Sequence, residues 1–389
     1  MSDETVGTLA VVAFLAGALL GGTQRVKADD LKGTAGLCHA TGSLSAARGR
    51  WLLLSDGALP TEDIYFMATA APGLRKAGAN VTRLNTRRWV TPGLCWPWLG
   101  RLLSGAQVIV CRSLPRPWLE LLESQRGLLA SLHYLLDDDI GAAAEEASLP
   151  LPYRERMALL SRHCVPRLLA LADEVVVASE RLARCLSSHH GTVTVLAPAL
   201  GSLPGAATPL PGDGQWRLGY HGTRAHREDL AKISPALVNV LSSFDSASLE
   251  VAMGAFTPEP LRDHKQVMIL APMGWHAYRR RLGQTRLHVG LAPLWPSAFN
   301  SAKSHLKFLE IARMGGVGVY SRRSPYQEIV DDGVDGVLVD DDGLAWQEAL
   351  ERLLSSPEHI QIMARRAVEK AADIGNPARH EAFWRERQC

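Results

Sequence analysis

Charged side chains recur at helical spacing in one short segment of the sequence. Lys307 and Glu310 follow Lys303 by four and seven positions. A helix over residues 304–314 would place the three charged groups on one face, with Ser304 at its start. Lysines and the free N–H groups of a helix start bind phosphate, and a carboxylate accepts two hydrogen bonds from a diol. The pattern therefore predicts a site for a ligand with phosphate and diol groups; the alternative is a surface helix with a Lys–Glu pair.

A second candidate is a short turn that follows an apolar run typical of a strand. Gly222 and Thr223 allow close approach of the backbone to a phosphate. Arg224 adds a positive charge, which would help a diphosphate group to depart. An ordinary turn is the alternative interpretation. The neighbouring His221 and His226 have no ligand-like spacing, and we expect structural roles for them.

Three consecutive carboxylates, Asp137, Asp138 and Asp139, directly follow the apolar run at residues 127–136. Clustered carboxylates can hold Mg²⁺ or Mn²⁺. They can equally contact a ligand at the end of a strand or cap the start of a helix. We expect one of the latter two roles, and we predict no metal site.

Apolar runs and helical patterns alternate along most of the chain, which predicts an α/β fold with parallel sheets. The alternation occurs twice, so we expect two Rossmann-like doubly wound domains that face each other across a cleft. Single helices are predicted over residues 61–77, 153–172 and 325–330, and one strand over residues 127–136. The predicted domain organisation is an N-terminal apolar segment and linker (1–49), a first domain (50–200), a Pro- and Gly-rich linker (201–214), a second domain (215–360) and C-terminal helices that cross back toward the first domain (361–389).

Composition narrows the class of protein. The 389 residues are 47% hydrophobic and 21% charged, with a formal net charge of +2. Such a chain is globular and lacks the basic excess of a dedicated nucleic-acid binder, so we expect no nucleic-acid partner. The sequence contains no Gly-x-Gly-x-x-Gly after a strand, no Walker A loop, no His-Glu-x-x-His and no nucleophile elbow. A nicotinamide oxidoreductase and a P-loop ATPase are therefore disfavoured.

The location of the protein depends on the cysteines and on the N-terminus. The six cysteines form no Cys-x-x-Cys pair, which favours a reducing compartment, the cytoplasm. Residues 5–22 are uncharged and near the lower length limit for a membrane span. If they span, Arg25 and Lys27 would place the remainder of the chain at the inner face of the membrane. The alternatives are a buried or interfacial helix, or an extension with no role in the fold.

The residues from Leu287 to Val339 carry a resemblance to a known family. They include Phe299-Asn300-Ser301-Ala302-Lys303-Ser304-His305-Leu306-Lys307-Phe308-Leu309-Glu310 and, further on, Asp332-Gly333-Val334-Asp335-Gly336-Val337-Leu338-Val339. This stretch resembles the C-terminal domain of glycosyltransferases with the GT-B fold, of the group 1 or family 4-like type. The aspartate-rich segment at residues 134–140 is similar to that of one bacterial subgroup.

The resemblance implies an enzyme, a hexosyltransferase-type glycosyltransferase that moves a sugar from a nucleotide-sugar donor to a glycan or lipid-linked acceptor. It also implies polysaccharide biosynthesis at the cell envelope, with possible membrane association, and no metal or resident cofactor, the nucleotide sugar being a substrate. In the family a glutamate at the position of Glu310 binds the ribose. The implied catalytic residues are Lys303 and Arg224, and the implied donor-binding residues are Gly222, Thr223, Asn300, Ser304, Lys307 and Glu310.

One position departs from the family pattern. Many relatives have a glutamate eight residues before the ribose carboxylate, where this sequence has Ala302. Asn300 and Lys303 match the subgroup that uses Asn-x-x-Lys instead. The departure keeps an alternative open, namely a non-catalytic GT-B scaffold or nucleotide-sugar-binding protein.

Overall fold

The computed structural model describes residues 49–88, 91–201 and 214–388. The apolar segment at residues 5–22 lies outside these ranges, as does most of the predicted linker at 201–214. Among the helices of the described ranges, none has the length and apolar character needed to cross a membrane. Cys111, Cys164 and Cys185 are free thiols.

The first half of the chain forms a six-stranded parallel sheet with strand order β2-β1-β3-β4-β5-β6. Its central strands are buried and mostly apolar because helices cover both faces. Alternate residues enter opposite cores: Leu52 and Leu54 pack on one side of β1, Trp51 and Leu53 on the other. The strands are Arg50–Ser55 (β1), Asn80–Asn85 (β2), Gln107–Cys111 (β3), Ser131–Leu136 (β4), Glu174–Val177 (β5) and Val193–Val195 (β6).

The second half repeats the architecture in a separate six-stranded parallel sheet, with strand order β12-β11-β10-β7-β8-β9. Its strands are Trp216–Tyr220 (β7), Ala247–Val251 (β8), Val267–Ile269 (β9), Val289–Ala292 (β10), Val317–Ser321 (β11) and Gly336–Val339 (β12). The chain thus has the α/β fold that the sequence predicts, with two doubly wound sheets.

Helices cover both sheets. In chain order they are Leu59–Glu62 (α1), Ala71–Lys76 (α2), Trp96–Leu103 (α3), Arg116–Ser124 (α4), Ile140–Glu145 (α5), Leu151–His163 (α6), Val165–Leu171 (α7), Glu180–Leu186 (α8), Arg227–Ser243 (α9), Glu259–Arg262 (α10), Trp275–Gln284 (α11), Ala298–Ser301 (α12), Leu306–Arg313 (α13), Gly343–Leu354 (α14), Pro357–Ile374 (α15) and Pro377–Glu386 (α16). A π-helical turn at Asp63–Met67 and short 3₁₀ turns complete the elements.

Each sheet has one point where its strand order reverses direction. In the first sheet β1 lies between β2 and β3, so the connections leave it on opposite sides. In the second sheet the reversal lies between β7 and β10. A crevice opens outside the carboxyl ends of the strands at such a point, and ligands of open α/β sheets bind there. The topology therefore provides two crevices, one per sheet.

The last helix, α16, returns to the first sheet, the course that the sequence predicted. Trp384 is fully buried, with its ring centroid 5.6 Å from Trp51 and 5.5 Å from Phe66. Its indole N–H donates to the carbonyl of Tyr65 at 2.9 Å. The first core is thus completed by residues from the end of the chain.

Four predicted elements differ from those observed. The helix predicted over residues 61–77 is two short helices, α1 and α2, joined by the π turn. The helix predicted over residues 153–172 is broken at Cys164, since Pro166 has no N–H to continue the helical ladder. The strand predicted over residues 127–136 begins only at Ser131, and the helix predicted over 325–330 is a single 3₁₀ turn, Tyr326–Glu328.

Candidate functional site

A cavity of about 430 Å³ lies between the carboxyl-terminal edges of the two sheets. Both halves of the chain line it, because each sheet directs its strand ends toward the same space. The first half contributes Tyr65, Arg112, Asp137, Asp138 and Tyr153, among others, and the second contributes Gly222, Thr223, Arg224, His226, Pro293, Lys303, Ser304, Lys307 and Tyr326, among others.

The turn after β7 lies at the strand-order reversal of the second sheet. A Cβ atom on Gly222 would stand 2.6 Å from the ring of Tyr220, so a side chain at this position would displace that ring. Thr223 and Arg224 follow at the cavity and are exposed. Within the described ranges Arg224 has no carboxylate partner. The turn therefore offers backbone groups and an unpaired cation to an anionic ligand.

Lys303 spans the cavity to the opposite half of the chain. Its ammonium donates to Asp138 Oδ1 at 2.5 Å and lies 3.8 Å from the ring centroid of Phe299. The two charged side chains are only 18% and 16% exposed. Lys303 precedes α13, which begins at Leu306, so it does not share a helix face with Glu310 as the spacing had predicted. It reaches the site from the loop instead.

Two further charged residues, Arg112 and Asp137, extend this ion pair into a cluster. The guanidinium of Arg112 lies 3.3 Å from Asp137 Oδ1 and 3.5 Å from Asp138 Oδ2. Thr61 Oγ1 donates to Asp137 Oδ2 at 2.6 Å. The cluster joins two carboxylates and two cations at the centre of the cleft.

Sequence reasoning missed Arg112. Its backbone is left-handed, with φ 63°, which is costly for a residue with a side chain. Its N–H donates to the Leu135 carbonyl at 2.9 Å, and its own carbonyl accepts from the Tyr134 hydroxyl at 2.9 Å. These bonds hold the backbone and aim the guanidinium into the cleft. The available signal was a basic residue directly after a buried strand.

The carboxylates of the aspartate triplet have different environments. Burial raises the pKa of Asp137 and outweighs the effect of Arg112. Burial also opposes ionisation of Asp138, but Lys303 and Arg112 outweigh it and hold the pKa of Asp138 at about 2. Asp139 accepts from the Ala142 N–H at 2.9 Å and caps α5. In the described part of the chain, no three His, Cys, Asp or Glu side chains are grouped so as to hold a metal ion.

The predicted pair on α13 is present but not on the surface. Lys307 lines the cavity, and its ammonium donates to the carboxylate of Glu310, which is 2% exposed. Glu310 therefore lies behind Lys307 and does not itself line the cavity. Ser304 does line it, and the Tyr65 hydroxyl reaches Ser304 Oγ across the cleft at 3.5 Å.

Asn300 and the two histidines bind neighbouring protein groups. The Asn300 amide donates to Asp229 at 3.1 Å and to the Trp295 carbonyl at 2.9 Å, beneath the loop that carries Lys303. His226 Nδ1 lies 2.9 Å from the same carboxylate, and His221 Nε2 lies 2.8 Å from Glu250. The histidines are held by carboxylates, in keeping with structural roles.

Comparisons with known proteins identify the fold. No protein-family model and no curated protein sequence matches this chain. Among solved structures, sucrose-phosphate synthase from Thermosynechococcus elongatus is 14% identical, with a TM-score of 0.60 over 87% of this chain and 98% of that one. Anabaena HepE in complex with UDP is 11% identical, with a TM-score of 0.55 over 87% and 99%. TarM is 9% identical, with a TM-score of 0.56 over 75% of this chain and 57% of its own length.

The chain has the GT-B fold of these glycosyltransferases, two Rossmann-like sheets that face each other across a cleft. The resemblance seen in residues 287–339 thus predicted the fold correctly. The cleft residues described above occupy the space where both sheets end.

Proposed function

We propose that this protein is a glycosyltransferase that transfers a sugar from a nucleotide-sugar donor to a glycan or lipid-linked acceptor. The observation that carries the proposal is the set of cations at the second sheet's crevice. Arg224, Lys303 and Lys307 line one cavity beside the open turn at Gly222 and Thr223. A diphosphate is the ligand that such a combination of cations and free backbone groups recognises best.

The chemistry follows from that arrangement. The bond between the anomeric carbon and the diphosphate breaks, an acceptor hydroxyl forms the new glycosidic bond, and the proton of that hydroxyl is released to solvent. The diphosphate departs with the bonding electron pair, so cations beside it stabilise the transition state. Lys303 and Arg224 are proposed for this role, and protein cations in place of a metal would make the enzyme metal-independent.

The remaining residues are proposed to position the donor. Lys307 and Ser304 would hold the phosphates. Glu310, which lies behind Lys307, would accept hydrogen bonds from the ribose hydroxyls only after Lys307 turns from it to the phosphates. Asn300 would act indirectly, because it fixes the loop that presents Lys303. One observation supports the alternative of a scaffold without turnover: the ammonium of Lys303 already donates to Asp138.

The biological setting is proposed from the fold relatives. One neighbour is described with UDP, and TarM has been solved with fondaparinux, α-GlcNAc-glycerol and UDP. UDP-sugars and glycan acceptors are therefore the first substrates to test. We propose a role in polysaccharide biosynthesis at the cell envelope, on the cytoplasmic side.

Calorimetric titration with UDP and GDP tests the proposal. Replacing Lys303 or Arg224 by Ala removes a charge-assisted hydrogen bond, so nucleotide affinity should fall about 10- to 150-fold. Glu310→Gln should cost less affinity than Glu310→Ala, because the amide keeps one acceptor oxygen. Lys265→Ala is the control, since that lysine is 79% exposed and does not line the cavity.

Two results would count against the proposal. If neither UDP nor GDP binds the wild-type protein, the donor site is wrong. If nucleotide binds but UDP-sugars are neither hydrolysed nor transferred to any glycan or lipid-linked acceptor, the scaffold alternative is supported.

A further inference from the structure

The first sheet has a crevice of its own, distinct from the cavity that faces the second sheet. A cavity of about 250 Å³ lies where the strand order of the first sheet reverses, between β1 and β3. Asp56 follows β1, and Arg112 and Ser113 follow β3. Arg87, from the 3₁₀ turn after β2, and Arg156, from α6, complete its polar lining. This is the position where open α/β sheets bind ligands.

The two cavities are neighbours. Arg112 and Tyr153 line both of them. A molecule in the first sheet's crevice would therefore extend toward the cleft in which the diphosphate is proposed to bind. That proximity is what an acceptor substrate requires.

The charge of the crevice is positive. The charges of Arg112 and Lys303 are balanced by Asp137 and Asp138. Of the other charged residues of the lining, Arg87 lies 3.2 Å from Asp56 Oδ2, which also accepts from the Ser113 hydroxyl at 2.7 Å.

Among the arginines that line the crevice, Arg156 has no carboxylate partner in the described part of the chain. Its guanidinium lies 5.3 Å from the ring centroid of Tyr153, and it makes no ion pair within the described residues. Arg87 is 56% exposed, so its guanidinium can turn from Asp56 toward a ligand. Two arginines that converge on one space match the several oxygens of a phosphate group.

Apolar side chains also line the crevice. Ile140, Met157 and Leu160 line it together with the ring of Tyr153. The cavity therefore suits a phosphate group attached to an apolar or aromatic part. A neutral sugar would leave Arg156 without a partner.

We infer that this crevice binds the acceptor through an anionic group, a phosphate held by Arg156 and Arg87. The inference rests on the proposed function, since it takes the acceptor of that reaction as the occupant. It adds the substrate class, a phosphate-bearing acceptor whose hydroxyl passes Arg112 toward the donor.

Benzyl phosphate is the probe, because it joins a phosphate to an aromatic ring, and benzyl alcohol is its neutral analogue. Both are titrated by ligand-observed NMR into the full-length protein in the presence of saturating UDP, which occupies the donor cavity. Benzyl phosphate should bind and benzyl alcohol should not. Arg156→Gln should weaken benzyl phosphate binding about tenfold or more, because it removes a charge-assisted hydrogen bond. Arg162→Gln, on the exposed surface of the same helix, should leave it unchanged.

The controls separate this inference from the proposed function. Arg156→Gln should keep the wild-type UDP affinity, since Arg156 does not line the donor cavity. If the wild-type protein does not bind UDP, the proposed function is contradicted, and the benzyl phosphate titration is then run without UDP. The inference is overturned if benzyl phosphate does not bind, or if Arg156→Gln binds it as tightly as the wild type does. It is also overturned if Lys303→Ala weakens benzyl phosphate binding as strongly as Arg156→Gln does, since that result would place the phosphate in the donor cavity.

Discussion

The central pair of the site joins a cation from one half of the chain to a carboxylate from the other. Lys303 donates to Asp138, and Arg112 lies 3.5 Å from the same carboxylate. The low pKa of Asp138 means that it is ionised at any neutral pH. A diphosphate that binds Lys303 must therefore share it with a fixed negative charge, or displace that charge. Asp138 would thus limit how tightly the proposed nucleotide ligand is held.

Removing the charge of Asp138 should strengthen nucleotide binding. Asn at this position keeps an oxygen that accepts from Lys303 but no longer repels the diphosphate. We expect Asp138→Asn to bind UDP roughly three- to tenfold more tightly, about 0.7 to 1.4 kcal/mol. Asp139→Asn is the matched control, because Asn also caps helices and this side chain serves α5. Calorimetry with UDP measures both variants; weaker binding in Asp138→Asn would show that the carboxylate positions Lys303 rather than competing with the ligand.

Spacing in the sequence predicted only part of this site. Gly222, Thr223 and Lys303 could be proposed because turns and basic residues next to them have a local signature. Arg112 could not, since its role depends on a left-handed backbone held by bonds to Leu135 and to Tyr134. Such bonds join neighbouring strands, and strand pairing cannot be read from local spacing.

At the scale of elements, the strands were easier to predict than the helices. Buried parallel strands such as β3 and β12 are short, largely apolar runs, which is why the sequence predicted parallel sheets. The break between α6 and α7 could have been predicted from Pro166. The break within residues 61–77 could also have been predicted, since Pro72 lies in the first turn of α2 and cannot continue a helix that precedes it.

Helix α16 contains a titratable group that the fold holds neutral. His380 is 2% exposed, its Nε2 lies 2.7 Å from the Ala197 carbonyl, and its Nδ1 lies 3.0 Å from Thr69 Oγ1. Burial lowers the pKa of His380 to about 4, below the ordinary value of 6.5. Between about pH 4 and pH 6.5, the unfolded chain therefore binds a proton at His380 that the native chain does not bind.

This difference predicts the pH dependence of stability. The stabilisation is complete above pH 6.5 and is lost progressively as the pH falls toward about 4. Between pH 7.5 and 4.5 we expect His380 to account for a decrease of about 2 to 3 kcal/mol in the free energy of unfolding. Urea titrations across that range should show a shallower decrease for His380→Gln. Some decrease should persist, because burial also lowers the pKa of His305 to about 4; an unchanged slope would contradict the assignment.

At the scale of the whole molecule, we expect the two ends of the chain to differ in what they contribute to the fold. The described residues, from 49 onward, already contain all the strands of both sheets. Trp384, near the end of the chain, packs in the first core. Arg387 donates two hydrogen bonds of 2.6 Å to Glu174, a buried residue beside β6. Sequence periodicity predicted the helices of the C-terminal region, and these long-range contacts show why they return to the first sheet.

Two deletions test that difference. Removing residues 1–40 should leave the melting temperature nearly unchanged, because these residues precede the first strand and include the predicted linker. Removing residues 377–389 uncovers Trp51 and Phe66 and leaves the carboxylate of Glu174 without Arg387. Loss of a buried tryptophan alone costs about 3 to 5 kcal/mol, which corresponds to a decrease on the order of 10 °C for a chain of this size. Thermal unfolding followed by circular dichroism compares the two; a large decrease on removing residues 1–40, or none on removing 377–389, would show that the first core is completed from the other end of the chain.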